Sequence, residues 1–361
     1  MKVAILVYSL SSGGAERSSA ILSRMLAYLG YEVTLITWMD NFKYAYSGKL
    51  ICVEREVPEA NKPRLRYRRF LFENKHFKQN SYDYVIDSRS RYHYKKFFLR
   101  YVVIQRRLNM VYILHNSFLE LYITNRIWLS RILYNLAFRF VGVSQNIVQN
   151  IQEKLGSHNV VCIYNAIDRK YLKEQSEHLI DIPEKRYILT YGRLSEKAKD
   201  YTFLMEAYAD SELPILGIPL FVMGDGPDKD YLLERRASLG LENHIVFKPF
   251  TPNPFPYVKN ALFTTLTSNY EGFPMVLVEA MALGTPVVAV DCVSGPSEII
   301  RTGENGILVP FKDRQKFTEA MNRMVTDTDF YQQCKKGTVE SVEPFTMEKV
   351  ALEWKQLLER N

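Results

Sequence analysis

The 361-residue chain is predicted to be an α/β protein of two Rossmann-like, doubly wound domains. Two observations carry that expectation. The length exceeds one ordinary core and suits two domains of roughly 150 to 200 residues each. Short apolar runs also alternate with helical stretches from residue 3 onward, and the pattern restarts near residue 185. Hydrophobic residues make up 47% and charged residues 24%, the balance of a folded globular chain and not of a disordered one.

Residues 3–8 form a short, continuous apolar run, as a strand buried on both faces of a parallel sheet does. Ser11-Ser12-Gly13-Gly14 breaks it. Leu22, Met25, Leu26 and Leu29 then fall at i, i+3, i+4 and i+7, the spacing of one helix face. Gly30 ends that helix, and residues 32–37 supply the next strand of a β-loop-α-β unit. In the second half, strands are expected at 187–191, 220–223, 245–247, 262–265 and 287–290. One helix is expected at 202–209 and another from the Gly224-Asp225-Gly226-Pro227 turn to Leu239. The polar stretch 168–185, with Pro183, is the linker candidate. The predicted domains are 1–170 and 171–345, followed by a tail, 346–361, whose helix can cross back onto the first domain.

Composition excludes several classes. Cys52, Cys162, Cys292 and Cys334 lie far apart and form no C-x-x-C pair, so neither a disulfide framework nor a zinc site is expected. No apolar run reaches the roughly 18 to 20 residues that span a bilayer. The nearest, 118–140, is interrupted by Glu120, Arg126, Arg131 and Arg139. Residues 1–10 pass straight into a strand with no cleavage-site pattern, so a cytoplasmic protein is expected.

The net charge of +7 is unevenly placed. Residues 60–107 hold 14 Lys and Arg against 3 acids, whereas the rest of the chain has 33 against 37. Arg64, Arg66, Arg68 and Arg69 lie beside Tyr67 and Phe70. Farther on, Tyr94, Phe97, Phe98 and Tyr101 share helical spacing with Arg91, Lys95, Lys96 and Arg100. Such interleaving suits an interfacial helix on an anionic membrane leaflet; the plainer alternative is a solvated basic face over a buried aromatic stripe. No nucleic-acid-binding motif accompanies the charge, so nucleic acid is not an expected partner.

The segment 268–288 carries the most chemical information. Ser268-Asn269-Tyr270-Glu271-Gly272-Phe273-Pro274-Met275-Val276-Leu277-Val278-Glu279 reads as a strand end, a Gly/Pro turn and a helix, closed by Gly284 before the next strand. Gly272 lets the backbone approach a ligand, and Pro274 suits a first helical turn. The N–H groups of Phe273, Met275, Val276 and Leu277 would then face an anion or a sugar hydroxyl. Glu279 falls one to two turns into the helix, where a carboxylate can grip two vicinal ribose hydroxyls. Glu271 precedes the helix, where a sugar would lie. Standing alone, two glutamates flanking a helix are ordinary surface residues; the full string makes them a candidate site.

That string resembles the Glu-x7-Glu signature of retaining GT-B glycosyltransferases, and the chain as a whole is similar to glycosyltransferase family 4. The resemblance implies two Rossmann-like domains facing across a cleft, with Glu271 on the transferred sugar and Glu279 on the donor ribose. Ser11-Ser12-Gly13-Gly14-Ala15-Glu16-Arg17 resembles the family's first glycine-rich loop, which implies that Gly13 and Gly14 admit donor phosphates and acceptor. Tyr191-Gly192-Arg193-Leu194 resembles its G-R-L strand end, which places Arg193 on the diphosphate. Gly224-Asp225-Gly226-Pro227, Ser294-Gly295-Pro296-Ser297-Glu298 and Gly303-Glu304-Asn305-Gly306 also match. The likeness runs almost throughout 187–310, but in the first half only at 3–37 and a few later points.

One departure concerns a lysine five residues after the G-R-L arginine, where this chain has Ala198. Lys197 and Lys199 flank it. Spacing counted back from Phe203-Leu204-Met205-Glu206-Ala207 favours Lys199 as the phosphate clamp. His115, at the end of the run Val111-Tyr112-Ile113-Leu114, falls where the family's histidine approaches the donor sugar; a structural histidine is the alternative. Asn165, in Asn165-Ala166-Ile167-Asp168, matches an N-G-x-D turn with Ala166 for glycine, so a structural role is expected. Phe250 falls where the family holds the nucleotide base, and could equally be core.

Two further patterns are expected to be decoys. Asp228-Lys229-Asp230 spells D-x-D, but acids opening a helix favour its dipole, and no metal is expected. Gly224-x-Gly226 lacks the third glycine of a dinucleotide fingerprint. With no cofactor expected, the substrates implied are a nucleotide sugar, UDP-linked in preference to GDP, and a glycan or lipid-linked acceptor. The alternatives are a GT-B sugar-nucleotide epimerase or phosphorylase, and a catalytically silent partner of a transferase.

Overall fold

The computed structural model describes residues 1–11, 13–58, 66–90, 103–123, 127–128, 130–131, 137–156, 159–179 and 186–359. The chain forms two Rossmann-like units, Met1–Ala166 with Met347–Asn361, and Ile167–Thr346. The first holds β1 (Lys2–Val7), β2 (Glu32–Thr37), β3 (Lys49–Cys52), β4 (Tyr84–Asp87), β5 (Met110–Leu114), β6 (Arg139–Gly142) and β7 (Val160–Cys162) in the order β3-β2-β1-β4-β5-β6-β7. The second holds β8 (Ile188–Tyr191), β9 (Leu220–Met223), β10 (Ile245–Lys248), β11 (Thr264–Leu266), β12 (Val287–Val290) and β13 (Gly306–Val309) in the order β10-β9-β8-β11-β12-β13.

The strand pairs within each sheet are parallel, as between β1 and β2, β1 and β4, or β8 and β9. In β1 only Lys2 is exposed, and β12 is buried throughout. Helices cover both faces of such strands, so apolar residues run continuously instead of alternating. The strand order reverses between β1 and β4 in one unit and between β8 and β11 in the other. Helices leave to opposite faces at such a reversal, and the C-terminal strand ends part to form a crevice.

The Gly14–Tyr28 helix buries Leu22, Met25 and Leu26. The Met347–Glu359 helix packs against it, burying Val350, Trp354 and Leu358, and Tyr31 donates to Glu359 at 2.8 Å. In the second unit the Tyr201–Ala209 and Arg314–Thr326 helices meet over fully buried Leu204, Tyr208, Phe317 and Met321. Each such side chain contributes about 1.5–3 kcal/mol through its removal from water.

Two sequence expectations need correction. The linker candidate 168–185 contains the Arg169–Ser176 helix. Asp168 caps it, accepting from the Tyr171 N–H at 3.0 Å, and Leu172 is buried, so a polar composition concealed one apolar anchor. Residues 180–185 of that stretch lie outside the described residues. The strand expected at 262–265 runs instead over Thr264–Leu266, as β11, with Leu262 and Phe263 leading into its pairing with β8.

Gly337 lies inside the Thr328–Ser341 helix, where alanine is ordinarily favoured by about 1 kcal/mol. A Cβ there would meet the Glu304 carbonyl oxygen at 2.1 Å. Gly337→Ala is therefore expected to destabilise the chain, by about 1–3 kcal/mol, read as a lower midpoint in thermal unfolding. A raised midpoint would show that the helix shifts freely.

Candidate active site

Three chain segments meet at the reversal point of the second sheet. The first is the exit from β8, where Gly192 donates to the Met223 carbonyl at 3.0 Å and Leu194 to the Asp225 carbonyl at 2.9 Å. This lacing brings two backbones together. A Cβ on Gly224 would stand 1.9 Å from the Gly192 carbonyl oxygen, and one on Gly226 would stand 2.1 Å from that of Leu194. The Gly224-Asp225-Gly226-Pro227 motif thus supports the G-R-L turn by close approach. Asp228, of the D-x-D pattern, accepts from the Glu196 N–H at 2.8 Å, which ties it to this scaffold.

The second segment is the short Glu196–Lys199 helix. Its carbonyls accept from the exit of β11: Asn269 N–H to Ala198 at 2.9 Å, Asn269 Nδ2 to Lys197 at 3.1 Å, and Thr267 Oγ1 to Lys199 at 2.9 Å. Asp200, left-handed at φ 50°, then caps the Tyr201–Ala209 helix through Phe203. Held this way, Lys199 Nζ reaches Glu271 Oε1 at 2.5 Å, and Ser268 Oγ donates to the same oxygen at 2.6 Å. Both ion-pair partners are largely buried, Lys199 at 23% and Glu271 at 14% side-chain exposure. Lys197 is exposed. Arg193 is exposed too, and has no ion-pair partner among the described residues; its carbonyl accepts from the Tyr201 hydroxyl at 3.3 Å.

The third segment is the turn from Glu271 into the Met275–Ala282 helix. The Ser294 hydroxyl donates to the Gly272 carbonyl at 2.8 Å, and Phe273 packs edge-on against Phe345 at 5.1 Å. Two expectations change here. Pro274 stands immediately before the helix, at its N-cap, and not in the first turn. The Leu277 N–H donates to the Pro274 carbonyl at 3.0 Å, so it does not face a ligand. Met275 and Val276 are half-buried. Glu279 is 2% exposed, with the Tyr191 hydroxyl 3.2 Å from Oε2. Phe250, 61% exposed after β10, is not core. Cys292 lies near Glu271 and Lys199; burial first, and then the Glu271 charge, pushes its thiol up to about 12.

In the first unit, Gly13 (φ 97°) caps the Gly14–Tyr28 helix, and both Gly13 and Gly14 are exposed. The Glu16 carboxylate folds back over Gly13, and burial pushes its carboxyl up. Ser12 lies outside the described residues. His115, half-buried at the end of β5, has Nε2 at 2.6 Å from Ser88 Oγ, and Ser19 donates to Ser88 at 2.7 Å. These side chains converge where β1 and β4 part. Asn165 accepts from Ser18 at 2.6 Å. Beneath them the buried Arg89 guanidinium bonds Asp87 and Glu73 and lies 4.7 Å over Trp38. Burial works to lower the Arg89 pKa, but the two carboxylates more than offset it and the net shift is upward.

Sequence reading gave no role to Ser268, Tyr191, Ser88 or Ser19. Ser268 and Tyr191 stood inside quoted motifs, while Ser88 was findable only as the residue after a strand end, between two charges. Among the described residues no helix is long and apolar enough to cross a membrane.

Residues 12–171 match the family described as Glycosyltransferase Family 4, and residues 172–340 match Glycosyl transferases group 1. The N-acetylgalactosamine-N,N'-diacetylbacillosaminyl-diphospho-undecaprenol 4-alpha-N-acetylgalactosaminyltransferase of Campylobacter jejuni is 29% identical over 340 residues, 90% of each chain. The amylovoran biosynthesis glycosyltransferase AmsD of Erwinia amylovora is 24% identical over 364 residues, 99% of each chain. Anabaena HepE, solved in complex with UDP-glucose, is 20% identical with a TM-score of 0.74 over 99% of both chains. Two adjacent family matches, on two parallel-sheet Rossmann-like units, make this chain a GT-B glycosyltransferase.

Proposed function

We propose that the chain is a retaining, metal-independent transferase. It moves a hexose or N-acetylhexosamine from a UDP-sugar to a glycan acceptor, lipid-linked, in the assembly of a surface polysaccharide or glycolipid. The observation that carries this reading is the Lys199–Glu271–Ser268 cluster at the reversal point of the second sheet, eight residues before Glu279. A cation and a carboxylate held together at a nucleotide-binding strand edge suit a substrate that is anionic at one end and hydroxylated at the other. Of the relatives named above, one is named for amylovoran biosynthesis and one for a diphospho-undecaprenol-linked substrate, which supports the choice of acceptor.

In this reading Arg193 and Lys199 face the diphosphate, Glu271 the sugar, Glu279 the ribose and Phe250 the base, with backbone groups at Phe273, Met275 and Val276 beside the phosphates. The bond between the anomeric carbon and the phosphate oxygen breaks first, through an oxocarbenium-like state. The departing phosphate oxygen takes the acceptor hydroxyl proton, and the acceptor oxygen bonds the anomeric carbon on the same face. UDP and the glycoside are the products. The two cations stabilise the charge that gathers on the leaving diphosphate, a task a divalent metal performs in other sites. The protein's own contribution is positioning and preorganised charge.

The membrane part of the reading rests on the Arg66–Gln79 helix. Tyr67, Arg68, Leu71, Lys75 and Lys78 are exposed along it, and Arg68, Leu71, Phe72 and Lys75 help line a groove of about 540 Å³. Burial, and then the Lys49 charge, hold the His76 pKa below the usual value. Arg69 stacks over Trp38, 4.9 Å from its ring. Arg64 and the basic-aromatic group at 91–101 lie outside the described residues.

Incubated with UDP-sugars, the chain is expected to release UDP slowly and faster with acceptor, with EDTA leaving the rate unchanged and NMR showing retained anomeric configuration in the product. Glu271→Ala should lower transfer by roughly a thousandfold in a chain that still folds, as its circular dichroism spectrum would show. Activity retained by that variant, or an altered sugar still joined to UDP, overturns the reading. Sedimentation with phosphatidylglycerol vesicles should be strong at low salt and weaken as salt rises; equal sedimentation with neutral vesicles removes the membrane component.

A further inference from the structure

We propose that Tyr191 is the positioning residue for the nucleotide's ribose contact: its hydroxyl sets the orientation of the Glu279 carboxylate that receives the ribose diol. This rests on the ribose role proposed above for Glu279.

Tyr191 is the last residue of β8, half-buried, two positions before Arg193. Its hydroxyl lies 2.9 Å from the Val276 carbonyl and 3.2 Å from Glu279 Oε2. One phenolic hydroxyl carries one proton, so these two acceptors share it. The carbonyl belongs to the first turn of the Met275–Ala282 helix and the carboxylate to its second. The shared bond therefore fixes the side chain of Glu279 relative to its own helix and fixes that helix to the strand end bearing Arg193.

Glu279 is 2% exposed, and a buried carboxylate is costly unless donors surround it. An ionised carboxylate offers about four lone-pair sites. The Tyr191 bond to Oε2 selects the carboxylate rotation that Glu279 presents to the two vicinal ribose hydroxyls. Without the phenolic proton, Glu279 would keep its place in the helix but lose that selection. Tyr191→Phe keeps the ring and the packing and removes only the hydroxyl.

Calorimetric titration of the whole chain with UDP and with 2′,3′-dideoxy-UDP separates the possibilities. The parent chain should prefer UDP, and Glu279→Ala should erase the preference. Tyr191→Phe should reduce it roughly tenfold, by weakening UDP while leaving the dideoxy analogue unchanged. An undiminished preference in Tyr191→Phe, with Glu279→Ala still erasing it, overturns the inference and spares the ribose role. Equal weakening of both ligands in Tyr191→Phe makes Tyr191 merely structural and likewise overturns it. No preference in the parent chain overturns the ribose role and this inference together.

Discussion

The second unit's site depends on a four-residue helix that could not stand by itself. Glu196–Lys199 is too short to satisfy its own terminal groups. The exit of β11 supplies what it lacks, with Asn269 and Thr267 bonding the carbonyls of Lys197, Ala198 and Lys199. Glu196 turns the other way, accepting from the N–H groups of Tyr201 and Thr202, and so starts the next helix. Position 198 contributes its carbonyl to this lacing, a backbone service that alanine performs as well as lysine. The cation then comes from the next residue, Lys199, which the same bonds hold against Glu271.

The two units use charge in opposite ways. Around Arg89 the buried guanidinium is spent on two buried carboxylates and the face of the half-buried Trp38 indole. Removing one member would leave an uncompensated charge inside the protein, so that cluster fixes the strand end carrying Ser88. Around Lys199 the ion pair keeps some contact with water, and Arg193, six positions earlier, is exposed. A saturated cluster holds a shape, whereas one with a cation to spare can receive an anion.

Much of this was legible in the residues. The continuous apolar runs and the 3.6-residue spacing of Leu22, Met25 and Leu26 specify parallel strands and covering helices, because burial on both faces leaves no other pattern. Gly224 and Gly226 were visible as a motif, but their purpose, admitting the Gly192 and Leu194 carbonyls, depends on a neighbouring strand and is silent in one dimension. The same holds for Tyr191, whose partners lie 85 and 88 positions away. The Arg169–Ser176 helix escaped notice because a single buried leucine anchors it. Leu277 was misjudged because a proline carbonyl, and not a ligand, takes its N–H.

The second unit begins at Ile167 and ends at Thr346, and these two residues pair side by side, with the Ile167 N–H on the Phe345 carbonyl at 2.8 Å. It is thus inserted into the first unit, whose Met347–Glu359 helix follows the insertion. On the ribosome, the inserted unit emerges whole and can close its own ends before the outer one receives its final helix. The usual vectorial order, N-terminal part first, is thus interrupted: the Gly14–Tyr28 helix meets its Met347–Glu359 neighbour only after the whole inserted unit has been synthesised.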